Sequence, residues 1–247
     1  MAGRALNLPR RHGVSPAVNL VIPAPAPVLV TVLGGGSFPV RRIYCVGRNY
    51  AEHAQEMGFT GREPPFFFMK PADAVVPVPM GDTGRIAYPS LTQDFQHEVE
   101  LVVAIGRGGS NIAAADANTH IYGYAVGLDM TRRDLQGQMK KQGRPWCIGK
   151  AFDQSAPIGP IVPRVQTGPL TTGAISLHVN GVLRQSGDLA QLIWNVDETI
   201  EQLSRAWTLQ PGDLVYTGTP AGVAAVLPGD VMEAAVDGLP LLRVVVD

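Results

Sequence analysis

The run His97-Glu98-Val99-Glu100-Leu101-Val102-Val103-Ala104-Ile105, stopped by Gly106, places two carboxylates two residues apart at the head of an apolar stretch. Its length and its valines read as a buried strand. Strand side chains alternate, so Glu98 and Glu100 point to the same face. Two like charges on one face repel, and a positive third party makes the arrangement favourable. A hard cation fills that role, because Mg²⁺, Mn²⁺ and Ca²⁺ prefer oxygen donors. A third carboxylate, Asp129, ends the next expected strand, Tyr122 to Leu128. Adjacent strands would bring it beside the pair. Two solvent-facing glutamates on an edge strand would give the same pattern, so the run alone leaves both readings open.

Outward from that strand, short elements separated by breakers dominate. Ile43 to Val46 reads as a strand running into Gly47, and Asn49 as the cap of a helix over Tyr50 to Met57 closed by Gly58. Phe66 to Lys70 is a strand fenced by Pro64, Pro65 and Pro71, whereas Val75 to Met80 is too proline-rich for a central one. Asp116 to His120 reads as a short helix and Thr131 to Lys141 as a longer one. Asn180-Gly181, between Ile175–Val179 and Val182–Gln185, is the strongest two-residue hairpin signal in the chain. Ile200, Leu203 and Ala206-Trp207 give Asp197 to Trp207 an amphipathic helical spacing. Asp213–Thr217, Val231–Val236 and Leu241–Val246 complete the strands. The pattern predicts a β-rich α+β domain over residues 39–247. Residues 1–38 are expected to be a partly disordered extension, ending in Gly34-Gly35-Gly36-Ser37.

Composition agrees with this picture. The 247 residues include 28 glycines and 21 prolines, which favours short strands and loops over long helices. The formal net charge of −1 offers no basic footprint for nucleic acid. Cys45 and Cys147 form no paired framework, so a reducing, cytoplasmic setting is the default. The first 51 residues hold no acidic residue but include Arg4, Arg10 and Arg11. An organelle-targeting reading stays open there, although prolines spoil an amphipathic helix. No apolar run is long enough for a membrane helix.

His53 and Glu56 lie three apart in the expected helix and share a face. A carboxylate there could orient the imidazole as a general base for water, and a solvent-facing pair would look the same.

Read in order, the blocks carry more than each alone. They are Tyr44-Cys45-Val46-Gly47-Arg48-Asn49-Tyr50-Ala51-Glu52-His53, Phe67-Phe68-Met69-Lys70-Pro71, His97-Glu98-Val99-Glu100-Leu101, Gly123 through Gln136, and Gly212 through Val223 with its Thr217-Gly218-Thr219-Pro220. Over about residues 40 to 247 the chain resembles the fumarylacetoacetate hydrolase superfamily, most closely its acylpyruvate hydrolases.

That resemblance implies a mixed β-sandwich roll, usually a homodimer, using Mg²⁺ or Mn²⁺. It implies that Glu98, Glu100 and Asp129 bind the metal. His53 and Glu56 would activate water from a lid over the substrate. The family's glutamine, lysine and threonine positions fall on Gln136, Lys150 and Thr219. The expected reaction is hydrolysis of a 2,4-diketo acid such as fumarylpyruvate to pyruvate and fumarate, as in gentisate-type aromatic catabolism. Lys150 and Gln136 are candidates for steadying the tetrahedral oxyanion. Arg48, Arg132 or Arg133 could clamp a distal carboxylate, and Lys70 either faces the site or caps a strand end. Two rivals remain: a decarboxylase or tautomerase of oxaloacetate-type keto acids, and a non-catalytic sandwich holding a structural cation.

Overall fold

The computed structural model describes residues 20–50 and 62–247. In chain order its strands begin β1 (Leu29–Thr31), β2 (Ser37–Pro39), β3 (Ile43–Gly47), β4 (Phe66–Lys70), β5 (Val75–Pro77), β6 (Thr83–Ile86), β7 (Phe95–Gln96), β8 (Val99–Ile105) and β9 (Ile121–Leu128). They continue as β10 (Thr131–Arg132), β11 (Ala156–Ile158), β12 (Val162–Pro163), β13 (Ala174–Val179), β14 (Val182–Asp188), β15 (Leu214–Tyr216), β16 (Val231–Val236) and β17 (Leu242–Val246). The α-helices are α1 (Arg133–Lys141), α2 (Cys147–Lys150), α3 (Arg164–Thr167) and α4 (Val196–Ala206).

One mixed sheet runs β4-β3-β15-β8-β9-β11-β5, with β12 also on β9, and a second runs β14-β13-β16-β17-β6. The strand at Val75 does lie at a sheet edge, as its prolines require. The fold is therefore the strand-rich α+β architecture expected, with few helices.

Residue alternation on β8 divides the core in two. Leu101, Val103 and Ile105 pack with Ile175, Leu177, Met232 and Ala234 of the second sheet and with Ile200 and Leu203 of α4. Val102 and Ala104 face the other way, in one layer with their sheet neighbours Leu214, Tyr216, Ile43 and Cys45. A sheet buried on both faces cannot keep polar residues along its middle without partners. Its charged residues accordingly collect at the strand ends.

Local chemistry sets the flanking elements. Asn180 and Gly181 both take positive φ (51° and 76°), as the two-residue turn joining β13 to β14 demands. Helix α4 starts one residue before the expected Asp197, capped reciprocally by Asn195 and Glu198.

Residue 38, the expected N-terminal boundary, falls inside a hairpin. β1 pairs antiparallel with β2, and Gly34, Gly35 and Gly36 form the reversal at positive φ. Val30, Val32, Phe38 and Val40 are buried against the Ile43–Cys45 side of the large sheet. The glycines are a turn that lets two short apolar strands cover the sheet, so this part of the expected extension belongs to the packed body. Among the described residues, no helix is long and apolar enough to cross a membrane.

Candidate metal centre and active site

Antiparallel pairing of β8 with β9 sets Val99 opposite Leu128. Glu98, one residue before β8, therefore sits beside Asp129, one residue past β9. The Asp129 N–H donates to the Glu98 carbonyl at 2.9 Å. Glu100 follows on the same face of β8. One oxygen from each of the three carboxylates lies within 4.8 Å of the others. All three residues are buried, at 6%, 1% and 1% exposure for Glu98, Glu100 and Asp129.

Three buried acids need compensation. Lys150, from the single turn of α2, places its ammonium 2.8 Å from Glu98 Oε2, 2.8 Å from Asp129 Oδ2 and 2.7 Å from Thr131 Oγ1. Lys70, at the end of β4, lies 2.7 Å from Asp129 Oδ1 and donates to the Met130 and Lys150 carbonyls. Arg133, at the start of α1, ion-pairs with Glu98 Oε1. Burial would lower the Lys150 pKa, but Asp129 and Glu98 outweigh it and raise it. Burial, then the charges of Asp129 and Glu98, push the Glu100 carboxyl well above the usual range. The Gly218 N–H, donating to Glu100 Oε2 at 2.7 Å, acts in the opposite direction. Hard oxygen donors converging under like-charge stress suit a divalent cation, which would relieve that stress.

Gly218 reaches Glu100 because it is glycine. It takes φ of 100°, and a Cβ there would lie 2.7 Å from Asn49 Cβ. The Asn49 carboxamide is itself committed, donating to the Trp194 and Thr217 carbonyls and accepting from the Trp194 N–H. The expected helix after Asn49, with His53 and Glu56, lies outside the described residues.

A small cavity of about 20 Å³ opens at the centre, lined by Glu98, Glu100, Arg48, Arg133, Gln136, Lys150 and Thr219 among others. That is room for an ion or a single water. Arg48 reaches this cavity with its guanidinium stacked 4.7 Å over the Phe66 ring, its backbone in the left-handed region at φ 57°. Gln136 Oε1 accepts from Arg133 at 2.6 Å. Arg132 does not line this cavity: it stacks 4.3 Å over Phe152, whose ring also lies 5.6 Å from Lys70 Nζ, and reaches the Ile148 carbonyl. Thr219 lines the cavity, yet its hydroxyl is already used: it donates to the Val99 carbonyl and accepts from Gln185, both at 2.8 Å.

Sequence reasoning did not find Gln185 or Thr131. Thr131 carried a usable signal only in standing two residues past Asp129. Gln185 carried none, because its partners are distant in sequence.

Comparison with known proteins agrees with this geometry. The family model described as fumarylacetoacetate (FAA) hydrolase C-terminal matches residues 42–247. A crystal structure of fumarylpyruvate hydrolase from Pseudomonas aeruginosa, in complex with Mn²⁺ and pyruvate, superposes with a TM-score of 0.91 at 59% identity. That match covers 92% of this chain and 99% of the other. A fumarylpyruvate hydrolase of Ralstonia sp is 46% identical over 178 residues, 72% of this chain and 90% of the relative. A mitochondrial oxaloacetate tautomerase of Rattus norvegicus is 40% identical over 203 residues, 82% of this chain and 90% of the relative. With the match spanning nearly all of the packed body, the chain belongs to the fumarylacetoacetate hydrolase family.

Proposed function

We propose that this hydrolase cleaves the carbon–carbon bond of a 2,4-diketo acid, an acylpyruvate of the fumarylpyruvate type, releasing pyruvate and a carboxylic acid. The observation that carries the reading is the buried Glu98–Glu100–Asp129 triad facing a cavity edged by Arg48, Arg133, Gln136 and Lys150. Similarity to an enzyme captured with Mn²⁺ and pyruvate supports it.

In this reading Glu98, Glu100 and Asp129 hold Mg²⁺ or Mn²⁺. The ion, when bound, supplies Lewis-acid polarisation of a keto acid's oxygens and positive charge for the departing enolate. His53 takes a proton from water, with Glu56 fixing the imidazole's tautomer. The water oxygen adds to the distal carbonyl carbon. Gln136 and Lys150 donate to the oxygen that becomes negative there, Lys150 giving up one of its three present contacts to do so. The bond to the central carbon then breaks, its electron pair passing to the pyruvate fragment, whose central carbon receives the proton that His53 took from water. Arg48 and Arg133 would pair with a second carboxylate on the acyl group. Arg132 is not in this group, and Thr219 contributes through the backbone it ties down. The unit doing this is the packed body from the N-terminal hairpin to residue 247, as a cytoplasmic homodimer; sedimentation velocity reads the dimer directly.

The test is Glu98→Gln assayed on a panel of acylpyruvates with excess Mg²⁺, followed by loss of enol absorbance. Cleavage should collapse, and near-wild-type turnover would refute the metal assignment. His53→Ala should lose hydrolysis while retaining Mn²⁺ binding. Similarity to an oxaloacetate tautomerase favours a second reading on the same centre. Comparing kcat/KM for oxaloacetate and fumarylpyruvate separates the two.

A further inference from the structure

β14 is the outer strand of the second sheet, and Val182, Leu183, Arg184 and Ser186 on it are exposed. Gln185 alone in that stretch is fully buried, at 0% exposure. A buried carboxamide is costly unless every donor and acceptor is met. Here all are met. Oε1 accepts from the Val99 N–H at 3.1 Å and lies 3.0 Å from His97 Nδ1. Nε2 donates to Thr219 Oγ1 and to the Pro220 carbonyl, both at 2.8 Å. With both amide hydrogens spent, Oε1 requires His97 Nδ1 to be the protonated nitrogen.

These four bonds land on two segments only. His97 and Val99 are the residues on either side of Glu98. Thr219 follows Gly218, whose N–H holds Glu100, and its hydroxyl returns to the Val99 carbonyl. Two further features aim the carboxamide at this spot. The β13–β14 register shifts between Leu177 and His178: Leu177 faces Gln185 while His178 faces Leu183, so Arg184 is an inserted residue. Such a bulge turns a strand and redirects its neighbours. Gly222, at φ 93°, lets the 218–223 turn press onto the same place, since a Cβ there would sit 2.0 Å from the Arg184 carbonyl oxygen.

We infer that Gln185 is a positioning residue that fixes the spacing of Glu98 and Glu100, and through it the affinity for the divalent cation, by clamping both flanks of Glu98 to the Gly218–Pro220 turn. This rests on the metal centre proposed above. Loss of outer partners of this kind weakens metal binding about 10- to 100-fold.

The experiment measures Mn²⁺ affinity of the full chain by electron paramagnetic resonance of free Mn²⁺, with thermal unfolding recorded alongside. Gln185→Leu should bind Mn²⁺ at least about tenfold more weakly. Gln185→Glu keeps the acceptor contacts and loses both donors, so it should fall between wild type and Gln185→Leu and serves if the leucine variant does not fold. Leu177→Ala, its buried neighbour across the ladder, should lower the melting temperature with Mn²⁺ affinity unchanged. Wild-type affinity in Gln185→Leu or Gln185→Glu overturns the clamp, as does equal weakening in Leu177→Ala. Wild-type protein that fails to bind Mn²⁺ overturns the metal centre itself, and the clamp with it.

Discussion

Replacing Lys150 by Met removes one charge from the centre of the site while keeping most of the side-chain stem. The lysine side chain is 2% exposed and its ammonium touches Glu98 and Asp129 at 2.8 Å each. Glu98 and Asp129 are ion-paired with Lys70, Lys150 and Arg133, and Glu100 sits beside them. Lys150→Met leaves three acids facing two cations in a buried space. Breaking a buried ion pair by removing one partner costs about 3–5 kcal/mol. Lys70 stays on Asp129 and Arg133 on Glu98, so the low end applies, about 3 kcal/mol. Urea unfolding of metal-free protein should show this deficit. The uncompensated charge should also draw a cation more strongly than in wild type. Mn²⁺ at one fixed free concentration c stabilises each folded state by RT ln(1 + c/Kd), about 2.7 kcal/mol where c stands a hundredfold above Kd and more where Kd is lower. The variant should therefore gain more from Mn²⁺ than wild type, and the gap between them should narrow. A metal-free deficit below about 1 kcal/mol, or a gap that Mn²⁺ leaves unchanged, would refute the charge balance.

Other outcomes follow from single contacts. Slight burial would raise the Asp134 pKa, but hydrogen bonds from Thr92 Oγ1 and the Gln93 and Leu135 N–H groups outweigh it and lower it. A lowered acid stabilises the fold above its unfolded value of about 3.9 and loses that contribution as pH falls through its folded value. Asp134→Asn should thus be less stable than wild type near pH 6 (roughly neutral conditions) and converge with it in acid, as read by urea midpoints across pH. Asn195→Ala removes the cap of α4 and should cost about 1 kcal/mol in the same assay, with acylpyruvate turnover retained.

Much of this site could be read from the chain because its chemistry is local. Glu98 and Glu100 share a strand face by simple alternation, and Asp129 ends the neighbouring strand. The Asn180-Gly181 turn announces itself through its backbone demands. The sequence points to Lys150, Lys70 and Arg133 as site residues, but not as counter-charges to the acids. Lys150 lies on a four-residue helix too short to leave a periodic signal. Lys70 was equally readable as a strand-end residue, and only the pairing of β3 with β4 brings it to Asp129. Gln185 looked like one more polar residue on an exposed strand, because a bulge and a distant glycine, rather than alternation, turn it inward. The hairpin at Leu29–Pro39 was hidden by its glycines, which suggest looseness when their neighbours are not seen to be covered.

That hairpin has a practical bearing on how the protein is handled. The family match begins at Arg42, and a chain started there would keep every residue assigned to catalysis. It would also lack Val30, Val32, Phe38 and Val40, which share one buried apolar cluster with Ile43, Cys45, Leu214 and Tyr216. Such a trimmed chain would carry its chemistry on a sheet with a bare greasy back, prone to clump before it could be assayed.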